Sequence, residues 1–291
     1  MPDNQDEFIF EDRNEQEPKP QAQSRIVSPT RGFYWLEKAL SDIVIPHFGK
    51  WFVAGLLYSV LLSASQVLHP YAAMLVNLLG PIFIAGGLLG AHQQKQSQQA
   101  PSNYQFFSAF THISKLHLVL LIVVQIVIFT VFTYLMFNAI GVEALQSIDW
   151  QKVQAQQDQA YLQQVMSQLL PYVKWVIIFG FFYSLLNWFV ISLIVFSGQN
   201  VFAALANSFI AAIKNIGAVL IFIIITIVIA LVLGIILSLI MAAISPLAPQ
   251  IISLAVSTLL TAIIMPIIAA ILYVSYREVF FGEIEASSKS L

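Results

Sequence analysis

Six apolar runs, at 51–68, 71–91, 116–140, 172–196, 216–244 and 247–276, carry no Asp, Glu, Lys or Arg in their interiors. Crossing a hydrocarbon core takes about 20 apolar residues of helix. The spacing predicts an all-α polytopic membrane protein with six transmembrane helices. The first run is short, but Phe48 and a snorkelling Lys50 complete it. The last two are long enough to tilt or protrude. His69-Pro70 and Ser245-Pro246-Leu247-Ala248-Pro249 are tight turns, so runs one and two, and five and six, form helical hairpins. Of the 291 residues, 58% are hydrophobic and 10% charged, against about 25% charged in a soluble domain. That excludes a water-soluble enzyme and a disordered chain. A net charge of -2 leaves no basic footprint for nucleic acid. The lack of cysteine removes disulfides, thiolate catalysis and Cys-based metal sites.

Basic residues set the orientation. All but Lys152 and Lys174 fall before run one, between runs two and three or four and five, or after run six. The positive-inside rule then places both termini in the cytoplasm. Residues 1–31 hold Asp3, Asp6, Glu7, Glu11, Asp12, Glu15 and Glu17 with Pro18, Pro20 and Pro29, which reads as a disordered acidic cytoplasmic tail. It lacks the pattern of a signal peptide. Phe8-Ile9-Phe10 among the acids is either a short docking motif or part of the solvated tail. The transmembrane domain covers 32–281, and 282–291 forms a short cytoplasmic tail.

Before runs one, three and five stand short amphipathic stretches: 32–44, 104–115 and 201–214. Each is too short to span, and each is followed closely or ended by a lysine. Such stretches lie in the interface plane, apolar groups in the acyl boundary and lysine at the headgroups. The expectation is three parallel repeats of elbow helix, span and return span, over about 32–92, 104–196 and 200–276. Gly80-Pro81-Ile82-Phe83-Ile84-Ala85 in run two matches Met265-Pro266-Ile267-Ile268-Ala269-Ala270 in run six. Pro81 and Pro266 should each bend a helix by removing a backbone hydrogen bond. Run four has Asn187-Trp188 at the matching place. Gly86-Gly87-Leu88-Leu89-Gly90 allows close helix approach, within the bundle or between copies. The outward loop 141–171 is rich in glutamine and has apolar residues at helical intervals. It reads as an amphipathic surface helix, a cap or a solvated helix.

The elbow-hairpin units, the Pro-bearing return spans and the ending Tyr273-Val274-Ser275-Tyr276-Arg277-Glu278-Val279-Phe280 resemble a family of uncharacterised multi-pass inner-membrane proteins of proteobacteria. That family is similar to the membrane domain fused to some glycerophosphodiester phosphodiesterases. The resemblance covers about 32–281 and implies a helical bundle in the bacterial inner membrane. It implies no activity, and no phosphodiesterase domain accompanies it here.

The candidate intramembrane polar or bend positions are Asn77, Pro81, Gln125, Asn187 and Pro266, with Gln66, Asn138, Thr130, Thr133, Ser184 and Ser192 as further neutral groups. Such groups serve as interhelical hydrogen-bond partners or as substrate ligands. Without buried acids or bases there is no proton relay or ion-coupled path. His47, His69, His92, His112 and His117 lie at span ends or elbows without metal-ligand spacing, and no cofactor is expected. Lys50, Lys115, Lys214 and Arg277 either form a ring for lipid phosphates or act as separate interfacial anchors. The resulting expectation is a non-enzymatic inner-membrane protein that organises membrane lipids or partner proteins. The N-terminal tail and the elbows are the candidate surfaces for a protein partner. The alternative is a passive or hydrophobic-substrate transporter, which needs a pocket lined by groups such as Asn77, Gln125 and Asn187.

Overall fold

The computed structural model describes residues 24–141, 143, 146–155, 158–244 and 249–282. The sequence expectations on 1–23, 245–248 and 283–291, including the Phe8-Ile9-Phe10 motif, lie outside the described residues. After a strap at 24–30, α1 (Arg31–Lys38) runs through a π turn (Ala39–Val44) and a 3-10 turn (Ile45–His47) into α2 (Phe48–Leu68). α3 (Pro70–Leu78) and α4 (Gly80–Ser97) return. A 3-10 segment (Gln105–Thr111) precedes α5 (Lys115–Ile140), which α6 (Trp150–Ala155), α7 (Gln159–Asn187) and α8 (Val190–Ser197) follow. α9 (Val201–Lys214) then leads into α10 (Ile216–Ile244), and α11 (Pro249–Phe281) closes the fold. Five helical stretches are long and apolar enough to cross a membrane, or six when α3 and α4, bent by 45°, count as one span. The chain is an all-helical membrane protein with an elbow end and a hairpin end.

The breaks in the return spans have local causes. Pro81 is the second residue of α4; it has no N–H to give to the preceding turn, so the helix ends at Leu78 and restarts at Gly80. Pro266 behaves differently and lies inside one continuous α11. Span four breaks without a proline. Asn187 turns its amide back onto the carbonyl of Tyr183 at 2.9 Å, and the Phe189 N–H leaves the helix ladder to donate to Ser208 Oγ of α9 at 2.9 Å. Side chains that bond local backbone compete with the helix in this way.

Two expectations need correcting. Pro171 does not end a loop: α7 starts at Gln159, capped by Asp158, and runs through Pro171 into the span. Much of the glutamine-rich stretch is thus a helical extension of span four. The elbows also do not rest their main apolar faces on lipid. Trp35, Ala39 and Ile43 in the first, Phe106 and Ala109 in the second, and Ala204, Ala211 and Ala212 in the third are fully buried against protein. The second elbow is a 3-10 segment, and the first is helically continuous with α2. Phe33, Phe110, Phe202 and Ile213 still point outward and form an apolar rim at the elbow end. Packing wins on one face because that face also meets buried amides. Gln94 accepts from Trp51 Nε1 at 2.9 Å and donates to Ile43 O at 2.9 Å. Gln105 donates to Gly86 O at 3.1 Å.

The core sits where α11 crosses α2 and α4 above this elbow layer. Gly55 of α2 lies against Ala262 of α11, and Gly87 of α4 against Ala269 of α11. Gly86 and Gly90 meet the second elbow and Trp51, so the glycine stripe is spent inside the bundle. The strap is tied down as well, which moves the fixed part of the chain forward from residue 32 to at least residue 25. Arg25 N–H donates to Val279 O at 2.8 Å. Asn215 accepts from Val27 N–H at 2.7 Å and donates to Arg25 O at 2.9 Å.

His112 closes the second elbow, its Nδ1 accepting from the Ser114 N–H at 3.2 Å. Burial holds its imidazole below the ordinary value. The unfolded chain therefore takes up this proton first, so the contribution is complete above about pH 6.5 and is lost as pH falls below it. Between about pH 7.5 and about pH 5.5 the wild type should lose more thermal stability than His112→Asn. Equal losses in the two proteins would rule out this assignment.

Candidate functional site

The bundle is tight at the elbow end and open toward the hairpin end. There α5 and α7 form an arm of their own, locked by stacking of Phe132 on Phe179 with centroids 3.7 Å apart and by Phe129 against Tyr183 at 4.7 Å. Between this arm and α3 runs a cleft of about 700 Å³ that opens sideways onto the apolar surface. One wall is Met74, Asn77 and Leu78 of α3. The other is Gln125, Ile126, Phe129, Thr130, Thr133, Tyr134 and Phe137 of α5, joined by Tyr183 of α7. These α5 positions recur at helical spacing and so share one face.

Gln125 Nε2 donates to Asn187 Oδ1 at 2.9 Å across the arm. The pairing meets part of the need of two amides that lipid could not satisfy, and a bond of this kind contributes about 0.6–2 kcal/mol. The structure thus brings three of the expected polar positions to one place, with Asn77 and Gln125 on opposite walls and Asn187 behind Gln125. Asn77 donates to Ala73 O of its own helix at 2.8 Å. Thr130 and Thr133 also line the cleft. Asn138 turns back onto Tyr134 O at 2.8 Å, and Ser184 onto Phe181 O at 2.7 Å. Pro81 and Pro266 are buried in the bundle and do not line the cleft. Two smaller grooves on the far side of the arm, of about 280 and 310 Å³, are lined by Phe132, Leu135 and Phe179 with no amide.

The basic candidates lie apart from the cleft. Lys50, Lys115 and Lys214 are exposed near the starts of their spans at the elbow end. Arg277 is half-buried there, its guanidinium 4.4 Å above the Phe281 ring. Its neighbour Glu278 is buried, accepting from Trp35 Nε1 at 2.5 Å and pairing with Arg31 Nε at 2.9 Å. Neither Trp35 nor Arg31 is marked in the sequence as a partner of Glu278. A lone acid closing an apolar span was the available signal, but its partners stand more than 240 residues away. Among the described residues no group of three His, Asp or Glu side chains could hold a metal ion.

Comparison with known family models, curated proteins and solved structures finds no match. The reading of the site therefore rests on its geometry.

Proposed function

We propose that this is a non-enzymatic integral protein of the bacterial inner membrane that holds a membrane lipid in the cleft between α3, α5 and α7. The single observation that carries this is a cleft of about 700 Å³, apolar with a few neutral hydrogen-bonding groups, open sideways to the membrane. Ligand sites have this size and lining. A through-path for a transported molecule is less well supported, because Trp51, Phe83 and Phe106 fill the bundle on the elbow side. Organising lipid is the role that fits a cleft lined by α3, α5 and α7 and open to the apolar surface. Three elbow-hairpin units remain the preferred description of the architecture. Its support is a stretch of short helix or 3-10 helix before each outgoing span, and a helix break in two of the three return spans.

Lipid retention tests the function. After gentle delipidation in detergent, native mass spectrometry should find one lipid retained by the wild type and none by Thr133→Trp, whose indole fills the cleft. Thr133 is exposed, so the fold should tolerate the change. Equal retention by both proteins would discard the reading.

Both termini are assigned to the cytoplasm, supported by the distribution of Lys and Arg. The chain has no cysteine, so single cysteines report cleanly. In spheroplasts an impermeant maleimide should label Gln151→Cys, and Gln99→Cys only after lysis. The reverse pattern would invert the orientation.

A further inference from the structure

Resting on the reading of the cleft as a lipid site, we propose that its occupant is an uncharged lipid alcohol of the diacylglycerol class, bound through its hydroxyl to Gln125. Gln125 lies about 15 Å along α5 from Lys115 at 1.5 Å per residue, half of a hydrocarbon core of about 30 Å. Phe137, at the other end of the cleft, stands about 18 Å further along. The cleft therefore covers the depth of one leaflet, from headgroup level to mid-plane, with its amide at the deep end.

A phospholipid of that leaflet fits poorly. Its headgroup would lie beside Phe137, and its chain ends would press methyl groups against an amide. Gln125 spends one N–H on Asn187. Its other N–H and its Oε1 have no protein partner among the described residues, and unmet polar groups are costly in hydrocarbon. A hydroxyl meets both, accepting from the N–H and donating to Oε1. A charged head has no counter-ion at this depth, because the lining contains no Lys, Arg or His. Thr130, the nearer of the two threonines further up the same wall, offers its hydroxyl to an ester oxygen. The chains then follow Ile126, Phe129 and Phe137 and leave through the lateral opening.

The test uses the full chain in phosphatidylethanolamine nanodiscs containing equal fractions of dioleoylglycerol and dioleoylphosphatidylglycerol. Lipid retained by the purified protein is then quantified. The expected result is enrichment of dioleoylglycerol on the wild type, about tenfold weaker on Gln125→Leu and lost on Thr133→Trp. Enrichment of dioleoylphosphatidylglycerol that Thr133→Trp removes and Gln125→Leu leaves intact overturns the proposed ligand but keeps the lipid site. Dioleoylglycerol enriched equally on all three proteins overturns the placement at Gln125. Enrichment of neither lipid on the wild type, with no change in Thr133→Trp, overturns both the ligand and the site. The headgroup comparison on the wild type stands by itself should Gln125→Leu fold poorly.

Discussion

Glu278→Ala is expected to destabilise the protein by about 3 kcal/mol, read as a lower denaturation midpoint in mild detergent. The carboxylate is 3% exposed and joins α11 to α1 through Trp35, which is fully buried, and through Arg31. Removing it leaves an indole N–H without its acceptor and a guanidinium without its counter-charge, both worse than the loss of a well-made contact. Glu278→Gln keeps an acceptor for Trp35 and loses only the charge, so it should fall between the wild type and Glu278→Ala. A midpoint for Glu278→Ala within about 0.5 kcal/mol of wild type would mean that the α1–α11 junction does not depend on this group.

Gly55→Ala should cost about 2 kcal/mol or more. A β-carbon at Gly55 would stand 2.1 Å from the carbonyl oxygen of Ala262. That oxygen is backbone and cannot rotate aside, so α2 and α11 must separate along their main contact. The strain opposes the gain of about 1 kcal/mol that alanine normally brings to a helix interior. Gly234 provides the comparison, since a β-carbon there meets nothing within 4 Å and Gly234→Ala should be neutral or mildly stabilising. Equal midpoints for the two variants would remove the close approach of α2 and α11 from the account of the core.

The path from sequence to site was legible in part, for reasons tied to particular residues. Pro81 announces its helix break because the missing N–H is a property of that residue alone. The break at Trp188 could not be read, because it depends on Ser208, in an elbow 19 residues on, capturing the Phe189 N–H. Asn77, Gln125 and Asn187 stood out as amides in apolar runs. That Asn77 and Gln125 line one cleft, with Asn187 bonded behind Gln125, depends on the bend at Leu79 and on the arm made by α5 and α7. Gln94 and Gln105 lie in or beside polar stretches and Asn215 follows an interfacial lysine, and nothing in composition marks them as buried ties.

The sequence by itself determined that this chain is helical and belongs in a membrane. Continuous apolar runs of about 20 residues fit a helix, which satisfies its own backbone hydrogen bonds in hydrocarbon, and not the short alternating strands of a barrel. Only the tertiary structure decided which apolar faces meet protein and which meet lipid. Trp35 and Phe33 are both large aromatic residues and close in sequence, yet one is fully buried and the other is 56% exposed. The physical reason is that lipid tails are as apolar as a protein core, so apolar character alone does not choose between them. Close approach at Gly55 and Gly87 and hydrogen bonds to Glu278, Gln94 and Asn215 make the choice, and each needs a partner distant in the chain.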